Sequence, residues 1–383
     1  MAVIKRVRLS EIAELVTKGT TPTTLGYEFQ DTGVNFLKIE CFSEKGDYIQ
    51  NKATHISEEC HEKLKRSQLK EGDILFSIAG VIGRVAIVTR NMLPANINQA
   101  LAIIRTKKDD IYLPYVKLIL TSPLIKKQFE RKKQGVAQLN ISLKDINDLE
   151  IPLPEIGKQI EYANSFKKVE KLIYTRQYQL QKLDELVKAR FVEMFGDRYV
   201  NDKNWNTTKL GNSISFNNGK AHEQIVDENG EYILVTSRAI ASNFKDVRRT
   251  NELLSPLRKD DIVMVMSDVP NGRALAKCQL IKDNNKYTLN QRICSFDNYN
   301  YNPVFLLFLL SRHPYFLSFN DGNGQTNLRK NDILDCELID PPIELQEQFA
   351  DFVSQVDKSK VAVQKSLDEA QLLFDSLMQQ YFG

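Results

Sequence analysis

The 383-residue chain repeats itself at a fixed interval. Asp145-Ile146 recurs as Asp332-Ile333, a shift of 187. The same shift carries Pro154 onto Pro341, Ile156 onto Ile343, Gln159 onto Gln346, Val169 onto Val356, Leu186 onto Leu373 and Phe195-Gly196 onto Phe382-Gly383. Upstream the match loosens. Lys70-Glu-Gly-Asp-Ile-Leu75 answers Arg258-Lys-Asp-Asp-Ile-Val263, Gly83-Arg84 answers Gly272-Arg273, Asn98-Gln99 answers Asn290-Gln291, and the stretch from Tyr112 to Pro123 answers that from Tyr301 to Pro314. The offset drifts between 187 and 192 there, as loops of unequal length require. Self-similarity at one period constrains the fold before any local propensity does. The chain must be two copies of one unit, each a variable globular part followed by a well-kept tail.

The tails read as long helices. Neither Lys158 to Phe195 nor Ile343 to Phe382 contains Gly or Pro. Each follows a Pro corner (Pro152-Leu-Pro154; Pro341-Pro342) and ends at a Gly, the usual helix punctuation. Phe166, Val169, Ile173, Leu180, Leu183, Val187 and Met194 recur at heptad-like steps, as do Phe349, Phe352, Val356, Val363, Leu367, Leu373 and Leu377. A rod of about 60 Å cannot hide such a stripe alone, so the two helices are expected to pair. A pseudo-two-fold relation makes them antiparallel, with a globular part at either end.

The globular parts look mixed and strand-rich. Val34–Ile39, Asp73–Ile78 and Arg84–Val88 are short β-type runs, with Tyr232–Val235 and Asp261–Met266 as counterparts. One or two helices follow in each. The expected class is therefore α+β: a first domain at 1–154, a spacer helix at 155–196, a second domain at 197–340 and a distal helix at 341–383.

Composition excludes several classes. An apolar fraction of 42% with 26% charged residues suits a soluble globular protein. The net charge of +3 hides an asymmetry. Residues 1–196 hold 31 Lys and Arg against 24 Asp and Glu, and the remainder is acidic. The five cysteines are scattered, and His55, Cys60 and His61 fit no common zinc spacing, so no metal is expected. No signal-like apolar core follows Met1, and the longest apolar run, Val304 to Leu310, is far short of a membrane span. The expected location is the cytoplasm.

Catalytic equipment is missing. Asp340-Pro-Pro-Ile343 has three positions of the Asp/Asn-Pro-Pro-aromatic motif of amino-methyltransferases, without the aromatic or a glycine-rich cofactor loop; its repeat partner is the corner before the first helix. There is no phosphate-binding P-loop and no nucleophile elbow.

Residues suited to DNA are present. Ser122 to Gln134 reads as a helix capped by Ser122, with Lys126, Lys127, Arg131, Lys132 and Lys133 on one face, as phosphate anchoring needs. Loops rich in Thr, Ser, Asn, Gln and Arg can match base edges. In copy one they offer Thr20, Thr21, Ser77, Arg84, Asn98, Gln99 and Gln134; in copy two, Lys220, Ser237, Arg238, Arg273, Asn290, Arg292, Gln325 and Arg329. Any one of these taken alone reads better as an ordinary turn, and the lysine face equally as a solvated one. Their similar placement in both copies favours the nucleic-acid reading over a coiled-coil scaffold that joins proteins without reading DNA.

These residues carry a family resemblance. Gly19-Thr-Thr-Pro22 and Gly72-Asp-Ile-Leu-Phe-Ser77 with Gly80 and Gly83 resemble the opening of a target-recognition domain. Ile141-Ser-Leu to Pro152-Leu-Pro154, then a helix bearing Gln159 and ending Met194-Phe-Gly196, resembles a domain-to-spacer junction. The whole chain resembles the specificity subunit of a type I restriction–modification system. The resemblance implies a subunit without catalysis, whose two target-recognition domains each read half of a bipartite site in double-stranded DNA. It implies partners too: two modification subunits, which bind S-adenosylmethionine, and restriction subunits, which use ATP and Mg²⁺. Copy two departs from the pattern, with Asn217-Asn-Gly-Lys220 for Gly-Thr-x-Pro and no lysine cluster.

Overall fold

The computed structural model of the protein describes residues 5–107, 110–130, 140–197, 200–222, 225–269, 272–322 and 324–382. The chain divides into two units, Met1–Gln177 with Lys365–Gly383, and Tyr178–Gln364.

In the first unit the strands are β1 (Arg6–Arg8), β2 (Ala13–Lys18), β3 (Val34–Leu37), β4 (Thr54–Ile56), β5 (Ile74–Ser77), β6 (Val85–Ile87), β7 (Ala95–Ile97), β8 (Leu101–Thr106) and β9 (Glu150–Pro152). An antiparallel sheet runs β2-β8-β5-β6, and a second runs β4-β3-β7 with β3 and β7 parallel. β1 pairs with β9 and closes the unit. The central strands read as unbroken apolar runs because both faces are covered. Ile74, Phe76, Ala102 and Ile104 pack toward the helices, while Leu75, Leu101 and Ile103 pack with Leu37 and Ile97 of the smaller sheet.

The second unit holds β10 (Thr207–Lys209), β11 (Ser215–Asn218), β12 (Tyr232–Val235), β13 (Arg248–Thr250), β14 (Ile262–Val265), β15 (Ser267–Asp268), β16 (Cys278–Leu280), β17 (Tyr287–Leu289), β18 (Ile293–Asp297), β19 (Thr326–Asn327) and β20 (Glu337–Ile339). Its sheets run β11-β18-β14-β16 and β13-β12-β17, again with one parallel pair, and β10 closes on β20. Strand for strand this is the topology of the first unit. The repeat therefore extends through the globular parts, and the architecture is α+β, as expected. The second unit also holds a short β15–β19 ladder.

Two 40-residue helices, Ile156–Phe195 and Ile343–Phe382, each contribute to both units. Within each unit their segments pair antiparallel. In the first, Phe166 meets Phe374 edge-on at 5.3 Å between ring centroids, and Arg176 Nε donates to Ser366 Oγ at 3.1 Å. In the second, Lys360 meets Asp184 at 2.7 Å and Phe191 meets Phe349 at 5.4 Å.

Each helix start is fixed by a buried glutamine. Gln159 Oε1 accepts from Tyr112 N at 2.9 Å, and its Nε2 donates to Pro154 O at 2.8 Å and Asp110 O at 3.2 Å. Gln346 Oε1 accepts from Asn302 N at 2.9 Å, and its Nε2 donates to Pro341 O at 2.8 Å.

The copies diverge at one buried charge. Asp73, which caps the Lys70 turn, binds the Arg105 guanidinium through two contacts of 2.7 Å. Asp261 caps the Arg258 turn in the same way, but Asp297 stands where Arg105 would. Burial, and secondarily Asp297, pushes the Asp261 carboxyl above the usual carboxylate range.

Candidate nucleic-acid interface

An antiparallel sheet brings every second loop to one end. In the first unit that end collects the chain leaving β2 (Gly19–Thr21), the β5–β6 loop (Ile78–Gly83) and the turn entering β8 (Asn98–Ala100). The parallel pair adds its own carboxyl ends there, because Asn98 N donates to Leu37 O at 3.3 Å. Gly19 makes the closure possible. Its N–H donates to Leu101 O at 3.3 Å, and a Cβ on it would lie 1.9 Å from Ile97 O and 2.3 Å from Asn98 O.

This end joins Thr20, Thr21, Ser77, Asn98 and Gln99, all expected from the sequence. The Thr21 hydroxyl donates to the Gln99 side-chain oxygen. Gln99 is exposed and Thr20 half-exposed, whereas Ser77 is buried and shapes its loop. The Ser77 hydroxyl donates to Val81 O and accepts from Arg84 N.

The Arg84 guanidinium is taken up by backbone carbonyls. Its Nη1 donates to Phe42 O at 2.8 Å and Ile39 O at 3.2 Å. Lys126 and Lys127 are exposed on the helix Pro123–Glu130, whose Phe129 packs on Phe76 of β5 at 5.7 Å. The Ser122 hydroxyl, expected to cap that helix, is buried and has no hydrogen-bond partner among the described residues. Arg131, Lys132, Lys133 and Gln134 lie outside the described residues. Lys38 was not anticipated. It follows β3 directly, and its ammonium lies 4.6 Å from the Phe29 ring centroid. The apolar run before it draws attention to the strand and away from its polar end.

The second unit builds the same end from different residues. Gly219 N donates to Ile293 O at 3.2 Å, and a Cβ there would lie 2.1 Å from Asn290 O. Asn290 N donates to Val235 O at 3.2 Å, which brings Ser237 and Arg238, in the turn of helix after β12, to the same end. Lys220 follows Gly219 and bridges to Asn290. Its carbonyl accepts from buried His222 Nδ1 at 2.7 Å, and His222 Nε2 meets Thr288 Oγ1 at 3.0 Å. Gln325 Nε2 donates to Ser267 Oγ at 2.6 Å, and a shallow polar cleft of about 300 Å³ is lined by Ser267, Gln291, Arg292, Gln325 and Asn327. Arg329 borders an adjoining cleft with Gln325 and Asp332. The strand leading out of that cleft has its parallel in copy one. Leu328 N donates to Met266 O at 2.8 Å, as Ile141 N does to Ile78 O at 3.0 Å. Arg238 pairs with Asp246 at 3.7 Å. Arg273 instead lines a groove with Lys188, Lys277 and Arg312.

Among the described residues, no group of three or more His, Cys, Asp or Glu side chains could hold a metal ion. None of the described helices is long and apolar enough to cross a membrane.

Each unit thus presents one polar sheet end on a shared scaffold, with different side chains in the two copies. The profile of the type I restriction modification DNA specificity domain matches residues 3–185 and again 202–370. The chain belongs to that family. Over 140 residues, 37% of this chain, it is 31% identical to the type I restriction enzyme EcoBI specificity subunit of Escherichia coli; the match spans 28% of that subunit's length. Two solved structures share the fold. One, from work on complex assembly and conformational transition of the type I R-M system, superposes with a TM-score of 0.66 at 15% identity, covering 99% of this chain and 97% of its own. The other, the type I restriction-modification system S subunit from M. genitalium, gives a TM-score of 0.55 at 13% identity, covering 100% and 97%. Proteins of the specificity family recognise DNA and are not themselves enzymes, in keeping with the missing catalytic motifs.

Proposed function

We propose that this specificity subunit reads a bipartite double-stranded DNA target, one half-site at each polar sheet end, in the cytoplasm. The observation that carries this reading is the repetition of one sheet-end framework with different residues on it. An identical framework accounts for two similar DNA contacts, and unlike side chains account for two half-sites of different sequence. Modification subunits dock on the chain, and restriction subunits join them; S-adenosylmethionine, ATP and Mg²⁺ belong to those partners. Exposed apolar side chains along the long helices, among them Leu172, Tyr178, Leu186, Val192, Val361 and Leu372, support docking of protein partners there.

Methylated adenines mapped in a host expressing this chain with its modification subunit test the reading. The expected map is a two-part motif with an unspecified spacer; a continuous motif or no motif refutes it. The helices then act as a ruler. Four residues inserted near Tyr174, matched by four in the facing segment of the distal helix, add about 6 Å of helix and lengthen the spacer. An unchanged spacer refutes the ruler.

Phosphate anchoring by the lysine helix has a separate signature. Lys126→Ala with Lys127→Ala weakens binding to all sequences and lowers the slope of log affinity against log salt by about 2. A changed base preference at unaltered salt slope would contradict it.

A further inference from the structure

The β5–β6 loop and its counterpart each raise one aliphatic side chain into solvent at the polar sheet end. Val81 is 57% exposed and Val269 is 63% exposed. A single exposed valine is unremarkable. Two at equivalent loops, each held by unrelated means, are a different matter.

In the first unit the Ser77 hydroxyl holds the Val81 carbonyl, Gly83 N donates to Ser77 O at 3.1 Å, and Gly80 and Gly83 adopt φ of +70° and +87°. In the second, no serine plays that part. Asp268 accepts from Val269 N at 2.9 Å, Ala274 N at 2.7 Å and Leu275 N at 3.0 Å, and Gly272 N returns to Val269 O at 2.9 Å. A Cβ on Gly272 would lie 2.2 Å from the Asp268 carboxylate, so the residue there must be glycine for that carboxylate to bind the loop. Different sequences thus hold an exposed valine in the loop that shares the polar sheet end with Asn98 and Gln99 in one copy and with Asn290 and Arg292 in the other.

On a DNA-reading face an ordered aliphatic group has one specific partner in the major groove, the thymine 5-methyl, the only apolar group on a base edge there. We propose that Val81 and Val269 are specificity-determining residues, each packing on a thymine methyl of its own half-site. This rests on the DNA-reading function proposed above.

The test uses the full chain assembled with its modification subunits, acting on a DNA library randomised around the mapped target. Val81→Ala should relax the preference for thymine at one position of the first half-site, by about fourfold for a buried methyl, and leave the second half-site and the spacer unchanged. Val269→Ala should do the converse. Both side chains are exposed, so neither change removes core packing. Uracil in place of that thymine should weaken the wild-type complex by the same factor and leave the alanine variant indifferent. Unchanged preferences in both variants, or relaxation at a position that is not thymine, would overturn the assignment while leaving DNA reading intact. A wild-type complex with no sequence preference would instead remove the functional reading on which it rests.

Discussion

A Gly19→Ala chain is expected to lose its first half-site and to unfold its first unit earlier. The clash is with backbone, since the new Cβ would meet Ile97 O at 1.9 Å and Asn98 O at 2.3 Å. Neither carbonyl can retreat cheaply. Ile97 ends β7 and pairs with Leu37 of β3, and Asn98 N is held by Leu37 O. Forcing an atom into such a site costs about 1–3 kcal/mol, and occasionally more. The chain leaving β2 must move instead, and Thr20 and Thr21 move with it. Gly219→Ala should act likewise on Lys220 and the second half-site, through Asn290 O at 2.1 Å. Denaturant midpoints and adenine-methylation maps of the two variants decide the matter. A Gly19→Ala protein with a wild-type midpoint and an intact first half-site would show that the closure has slack.

The pair Gly19 and Gly219 also marks where sequence reading stops. The motif Gly19-Thr-Thr-Pro22 is plain in copy one, and copy two reads Asn217-Asn-Gly-Lys220 instead. The structure shows that only the neighbours changed: the glycine stayed because its close approach to the turn after β7 or β17 is set by the sheets. The residues after it differ whether exposed or buried: half-exposed Thr20 is replaced by exposed Lys220, and buried Pro22 by buried His222. The tails were easier. Their register never slips, since an unmatched insertion of one or two residues rotates a helix's apolar stripe off the partner. That is why the helices, their antiparallel pairing and the α+β class could be read ahead. Strand order could not, because pairings such as β2 with β8 join residues far apart in the chain. Side-chain direction was hidden as well. Arg84 and Arg273 look equivalent as Gly-Arg pairs, yet the first caps carbonyls at Ile39 and Phe42 and the second lines a groove. Lys38 and the two tip valines escaped notice because nothing in their immediate sequence sets them apart.

The glutamines at the helix starts lead to the second large effect, at the best-kept part of the repeat. Gln159 is 1% exposed and Gln346 is 2% exposed. Their amides are well suited to the place, since one group must accept from an N–H of the globular part and donate to the carbonyl of a Pro corner. Leucine has nearly the same reach and neither function. Gln159→Leu removes the side-chain partner of the part-buried Tyr112 N and Pro154 O and of Asp110 O, which lies on an exposed residue, whereas Gln346→Leu strands part-buried Asn302 N and buried Pro341 O. Each stranded group costs about 1–3 kcal/mol, which outweighs the gain from burying an aliphatic side chain in place of an amide. Both variants should therefore lose about 3 kcal/mol, with two groups stranded away from water at each site. Urea unfolding followed by circular dichroism measures this directly. If either leucine variant is as stable as the parent chain, the glutamine is not what fixes the globular part to its helix, and the conserved register between the two tails must be held by the apolar stripe alone.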